Sequence, residues 1–149
     1  TKTSINPVKA KIIGEDVVLC PSFNPKPIQY FEKYGGWCQR YWWERRPVWI
    51  VEIDHTDPRY IYGKRIWYVD KETFAMQQQI WHDQKGRVWK YWDWAWRWNP
   101  KNGELDYWNP YIADIINKHI TIATHNITLN LPDLSENLFN LRYLSSKAH

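Results

Sequence analysis

The sequence predicts a mainly β fold, an antiparallel meander with a short helix near its end. Three observations carry that prediction. Apolar and polar residues alternate at period two, most clearly in R-V-W-K-Y-W-D-W-A-W-R-W at 87–98. Turn clusters rich in Gly, Pro, Asn and Asp separate the strand-like runs at roughly 8–14-residue spacing. No helical patterns alternate with these runs, so a parallel sheet is not expected.

Taken in order, residues 1–36 read as an irregular lead-in with short strands. Val8–Ile13 is expected as one strand, with Gly14-Glu15-Asp16 turning into a second at Val17–Cys20. Pro21, Pro25 and Pro27 forbid regular structure. Ile28–Tyr34 is expected as a short helix stopped by Gly35-Gly36. Val48–Ile53 is apolar on both sides, as a central strand would be, and Pro47 marks its start or a bulge. Asp54–Pro58 is a turn, followed by a strand at Lys64–Val69 and a turn at Asp70–Thr73. Phe74–His82 is the next strand, with Phe74, Met76, Gln78 and Ile80 on one side. Asp83-Gln-Lys-Gly86 is a hairpin turn with Gly placed for positive φ.

The strand at 87–98 follows. Its even positions include Trp92, Trp94, Trp96 and Trp98, which an extended chain places on one side. A helix would scatter them around its circumference. Burying four such rings corresponds to about 15–25 kcal/mol of gross apolar driving force. Something must cover them: a core, a ligand or another chain. Asn99–Gly103 closes the strand. Glu104–Trp108 and Tyr111–Ile116 are expected as two strands broken by Asn109-Pro110. Asn117-Lys118 turns into His119–Thr124, and Asn126–Leu131 extends it. Asp133 or Ser135 can cap a helix from Glu136 to about Leu144.

The 149 residues suit a single domain, 1–149. Twelve tryptophans favour strands and surfaces that grip flat or apolar ligands. The net charge of +4 is spread among acidic residues with no Lys/Arg run, so nucleic acid is not an expected partner. No apolar run approaches the length of a membrane-spanning helix. No signal peptide is visible. The chain opens T-K-T-S-I-N-P without an initiator Met, as a processed or cut product would. Cys20 and Cys38 show no metal-ligand spacing, and a disulfide between them is open in an oxidising compartment.

No metal or cofactor is expected. His55, His82, His119 and His125 lie at no short spacing from one another, and His55, between Asp54 and Asp57, is the best local cluster. Ser4, Ser22, Ser135, Ser145 and Ser146 lie outside any nucleophile-elbow context, and no phosphate-binding glycine loop exists. No catalytic residue is therefore assigned. The candidate ligand-binding residues are Trp67, Trp89, Trp92, Trp94, Trp96 and Trp98. Lys64, Arg65 and Asp70 bracket the 66–69 strand and are read as a polar gate for a ligand head group, or as a surface ion-pair ladder.

From Arg45 to Lys90 the chain reads R-R-P-V-W-I-V-E, then D-P-R-Y-I-Y-G-K-R-I-W-Y-V-D-K-E-T-F, then W-H-D-Q-K-G-R-V-W-K. These three blocks resemble the C-terminal part of a bacterial family known as domain of unknown function 1329. Tyr62, Lys64, Arg65, Tyr68, Asp70, Thr73, Asp83, Gly86, Trp89 and Lys90 stand at positions matching its motifs. The upstream K-I-I-G-E-D-V-V-L-C-P and the late D-L-S-E-N-L also look like family segments. The resemblance implies a periplasmic, LolA/LolB-like fold: a curved antiparallel half-barrel around an apolar cavity, with helices as a lid. It implies the last third of a longer architecture, no catalytic motif, and movement of lipids or other hydrophobic molecules. The tryptophan load between 89 and 108 exceeds what the resemblance leads one to expect.

The reading that follows is a non-enzymatic carrier or binding module for a lipid, sterol or terpenoid-like molecule, in the periplasm or at the outer membrane. The alternative is a structural subunit of a larger envelope or extracellular assembly, its aromatic face buried on partner chains that close the half-barrel. Carbohydrate binding by stacked tryptophans ranks third, and an enzyme last.

Overall fold

The computed structural model describes residues 8–22, 42–55, 57, 59–101, 103–123 and 141–147, with the backbone alone at 106–110, 141, 144 and 147. Over these residues the chain forms β1 (Val8–Cys20), β2 (Glu44–His55), β3 (Tyr62–Asp70), β4 (Met76–Asp83), β5 (Val88–Asn99), β6 (Glu104–Asp114), β7 (His119–Ile122) and α1 (Leu141–Lys147). The strands make one seven-stranded sheet in the order of the sequence. Every neighbouring pair is antiparallel. The fold is mainly β, an open meander, as the period-two pattern requires.

The turns at Gly86 and Gly103 form where their residues predict. Gly86 and Gly103 sit at φ of 78° and 65°, the left-handed region that glycine enters without cost. Asp83 ties the first of these hairpins by accepting the Lys85 and Arg87 backbone N–H groups, each at 2.9 Å. Gly63 serves a different need. A Cβ there would lie 2.6 Å from the Asp83 carbonyl oxygen, so only glycine allows β3 to run this close to the hairpin.

Three local expectations are corrected. The turn expected at Gly14–Asp16 is absent: β1 runs unbroken and absorbs the extra residue as a bulge between Ile12 and Gly14, because all of it pairs with the long β2. Asn109-Pro110 does not break β6 either. Pro110 stands opposite Trp94, and β7 pairs only from Tyr111 onward, so no β7 ladder bond is lost at the proline. Phe74 is not the first residue of β4. It sits in the preceding turn at φ 58°, where its N–H donates to the Asp70 carbonyl at 3.0 Å, and its ring is 70% exposed. The expected helix from Glu136 to about Leu144 is observed over Leu141–Lys147, running past Leu144, while 136–140 lie outside the described residues. The expected helix at Ile28–Tyr34 and strand at Asn126–Leu131 also lie outside them.

The sheet is curled. Three strand spacings separate β1 from β4, roughly 14 Å across a flat sheet. Yet the Gln78 side-chain amide donates to the Leu19 carbonyl at 2.9 Å. One strand further on, the Trp96 backbone N–H donates to the Pro21 carbonyl at 3.1 Å. Ser22 Oγ donates to Gln77 Oε1 at 3.0 Å, buried. The end of β1 is therefore clasped across β4 and β5, on the side of the sheet from which Gln78 projects.

That end is held by a buried ion pair. The Arg46 guanidinium donates to Asp70 at 2.6 and 3.0 Å. The backbone N–H groups of Glu72 and Thr73 donate to Asp70 Oδ1, each at 2.9 Å. Asp70 is wholly buried. Burial pushes its carboxyl up, but Arg46 and the turn amides outweigh it and hold it down at about 2. Its stabilising contribution is thus present above the ordinary carboxylate value and lost as pH falls from about 4 towards 2. Asp70→Ala should cost about 3 kcal/mol at pH 7, since it leaves a mostly buried guanidinium without its main partner. Urea denaturation should show that deficit, and should show it shrinking below pH 4; an unchanged midpoint at pH 7 would contradict this role.

Candidate functional site

Alternation gives β5 two different sides. On one side stand Asp93, 6% exposed, and Ala95, 2% exposed. Asp93 lies opposite Gln78 of β4 and Tyr111 of β6, so this is the side over which the end of β1 is clasped. On the other side stand Trp92, opposite Gln79, and Trp94, opposite Pro110. Trp92, Trp94 and Trp96 are half-buried, while Trp98 is 42% exposed. The side with the smaller residues is the more deeply buried one.

The tryptophans form a ladder. Trp94 and Trp96 stack at 6.5 Å, Trp92 and Trp94 meet at 5.7 Å, and Trp81 of β4 stacks on Trp92 at 4.8 Å. Tyr62 of β3 continues the run edge-on to Trp81 at 4.3 Å. Tyr60 and then His55, stacked on Tyr60 at 4.0 Å, complete it. The register explains the sequence of rings. Trp81 pairs with Lys90 and Arg65, which puts it on the same side as Trp92. Trp89 falls at the irregularity between Trp81 and His82, and its ring meets Tyr62 at 5.2 Å. Trp67 pairs with Gln79 and so shares this side. Hydrogen bonds fix some rungs: Trp81 Nε1 to Gln79 at 2.8 Å, Trp96 Nε1 to the Met76 carbonyl at 3.1 Å, and Trp89 Nε1 to Asp114 at 2.9 Å. The Trp67 and Trp92 indole N–H groups are buried without a partner.

The polar residues named from sequence are not gathered into one gate. Lys64 pairs with Glu52 at 3.1 Å. Asp70 is at the opposite end of β3, inside the Arg46 pair. Arg65 alone joins the ladder: its guanidinium lies 4.3 Å from the Trp81 ring centre and 5.4 Å from those of Tyr60 and Tyr62, and it donates to the Tyr60 hydroxyl. Lys90 lies beside it, 5.6 Å from the Tyr62 ring and 5.0 Å from Trp89. Neither Trp81, Tyr62 nor Lys90 was singled out as a ligand contact by the linear pattern. Trp81 sits alone in its strand, and only the β4–β5 register brings it into line.

His55 is held low by burial and then by the Arg65 cation. Asp57, its expected companion, is engaged by Arg59 at 2.9 Å. Among the described residues no three His, Cys, Asp or Glu side chains gather as a metal site would need. Cys20 is a buried free thiol, pushed up to about 12 first by burial and then by Asp93, which suits no nucleophile. Cys38 lies outside the described residues. A depression of about 280 Å³ beside Trp89, lined also by Asp83, Arg87, Ile116 and Asn117, is small for a ligand pocket.

The inner side holds a group that sequence reading passed over. Asp93 stands between Trp92 and Trp94 in the sequence. Its Oδ1 is buried without a hydrogen-bond partner, and burial pushes its carboxyl up to about 7 against the pull of the Trp94 backbone N–H.

Residues 21–132, well over half of the chain, match the family described as Protein of unknown function (DUF1329). Among solved structures, the chain is similar to a domain from Vibrio parahaemolyticus described as an outer membrane lipoprotein-sorting protein. Identity is 21%, the TM-score is 0.55, and the match covers 66% of this chain and 42% of that one. At that identity the likeness is one of fold, and the chain spans less than half the length of that structure. No curated protein matches the sequence.

The buried carboxylate generates a pH prediction. With its folded value raised above the ordinary one, Asp93 costs nothing below about pH 4 and weighs against the fold progressively as pH rises towards 7. Asp93→Asn should therefore match the wild type near pH 4 and exceed its stability at pH 8, by up to about 4 kcal/mol. Thermal melts across that range measure it; a constant offset between the two proteins at all pH values would refute the assignment.

Proposed function

The chain belongs to the DUF1329 family, and from that premise we propose that it is a non-catalytic binding module for hydrophobic molecules. Its place would be the periplasm or the outer membrane. The observation that carries this reading is the aromatic ladder. Five rings, from Tyr62 through Trp81 to Trp96, run continuously along one side of the sheet. The three tryptophans of β5 in that run remain half-buried. A surface of this kind binds by apolar burial with few polar anchors. The described likeness to a lipoprotein-sorting domain supports the same reading through the shared fold.

A second reading has its own observation. Among the described residues β1 is one edge of the sheet, and Ile12, Ile13, Val17 and Leu19 along it are each about half exposed. Edge strands of this character pair readily with another chain. On that reading the protein is a subunit of an envelope or extracellular assembly, and these residues are covered by a partner.

Loss of ladder rungs separates the two. Trp94→Ala and Trp96→Ala together should weaken retention of a fluorescent fatty acid about tenfold in a protein whose circular dichroism is unchanged. Full retention by the folded double variant, with the wild type eluting only as an oligomer on size exclusion, would favour the second reading.

A further inference from the structure

Among the described residues, Arg65 and Lys90 at the Tyr62 end of the ladder form no close ion pair, and the one acid that feels Lys90, Asp114, does so through space. Arg65 makes one hydrogen bond, to the neutral Tyr60 hydroxyl, and its Nε is buried with no partner. Among the described residues no carboxylate forms an ion pair with it. Three acids on the adjoining turns are engaged by other groups: Asp57 by Arg59, Asp83 by Arg87 at 2.7 Å, and Asp114 by Trp89 Nε1 and the Asn117 side chain, each at 2.9 Å; Asp54 acts on His55. Lys90, in register with Asp114, rests over the Tyr62 and Trp89 rings rather than in an ion pair. Both ring nitrogens of His55 are buried without partners as well. A cation held against aromatic faces keeps its charge, because the ring quadrupoles favour it, while its N–H donors in the guanidinium plane stay available. A guanidinium in that state presents a fork suited to phosphate or carboxylate oxygens.

The ladder begins at this charge. Trp81 is the ring under Arg65, and Trp92, Trp94 and Trp96 follow it. From Trp92 to Trp96 the strand advances roughly 13 Å. An ordered strip of indole faces running away from an unpaired cation matches a molecule with an oily tail and one anionic end.

We propose that Arg65, with Lys90 beside it, is an anion subsite, and that the ligand is an anionic single-chain amphiphile. Its phosphate or carboxylate head meets Arg65, and its tail lies along Trp81, Trp92 and Trp94. This deepens the binding-module reading and rests on it: the tail surface is the same ladder, and the new element is selection by charge at one end. Lys64 and Asp70 take no part, since each is committed to another partner elsewhere on β3.

The test compares three probes on the full chain by tryptophan fluorescence and calorimetry: a lysophosphatidic acid, a monoacylglycerol with the same tail, and inorganic phosphate. The lysophosphatidic acid should bind about tenfold to hundredfold tighter than the monoacylglycerol, as expected for a charge-assisted contact. That ratio should fall as salt is raised. Inorganic phosphate should neither bind measurably nor displace the amphiphile. Arg65→Gln should bring the ratio near one, and Lys90→Gln should lower it in part; the second variant carries the test should the first fail to fold. Equal affinities for the two amphiphiles in the wild type would overturn the subsite while leaving the binding module standing. A ratio that survives both substitutions would overturn it too, as would phosphate binding alone at the amphiphile's affinity. Absence of binding by either amphiphile would remove both the subsite and the reading beneath it.

Discussion

A meander of seven antiparallel strands has no strand order that closes it, so its shape depends on what draws distant strands together. Here that is the clasp after β1. The Pro21 carbonyl accepts the Trp96 N–H, and Leu19 and Ser22 engage Gln78 and Gln77. Backbone groups at a sheet end otherwise need water or a cap, and a buried unmet one costs about 1–3 kcal/mol. The clasp meets several at once, and in doing so assigns an inside and an outside to every strand between β1 and β5. Small and polar side chains, Ala95, Asp93 and Gln77, lie where the chain crosses over.

Once the inside is taken, the large rings of β5 must occupy the opposite side, and there they cover one another. Stacked and edge-on pairs contribute about 0.5–1.5 kcal/mol beyond the area they remove from water. Self-stacking therefore accounts for part of the apolar surface that these rings withdraw from water. Arg65 extends the arrangement by lying over Trp81 and shielding its indole with a guanidinium. The same contact holds a positive charge at a defined distance from an oily strip, which is what makes this end chemically distinct from the Trp98 end.

The two buried carboxylates show how location decides the behaviour of one side-chain type. Asp70 and Asp93 are both almost inaccessible. Asp70 receives a guanidinium and two turn amides and is held ionised. Asp93 has an unmet oxygen and is pushed towards the neutral acid. Desolvation acts on both, and only the partners differ. The first stabilises the clasped end of the sheet; the second weighs against it as pH rises.

Much of this was present in the linear order of residues. Period two in 87–98, the Gly86 and Gly103 turns and the spacing of the turn clusters determined a mainly β antiparallel meander. They also determined that Trp92, Trp94 and Trp96 share a side. These are local properties, set by backbone geometry within a few residues. The sequence alone misread Gly14–Asp16, Phe74 and Pro110, because whether a residue turns, bulges or stays in a strand depends on the length of the strand across from it. It also could not place Trp81 under Arg65 or Asp93 beneath the clasp. Those neighbours are set by inter-strand register and by curl, and both arise from hydrogen bonds between residues up to 75 positions apart, as between Pro21 and Trp96. Only the tertiary structure could decide which side of β5 is the inside, since alternation makes two sides and carries no information about which one the chain will cover.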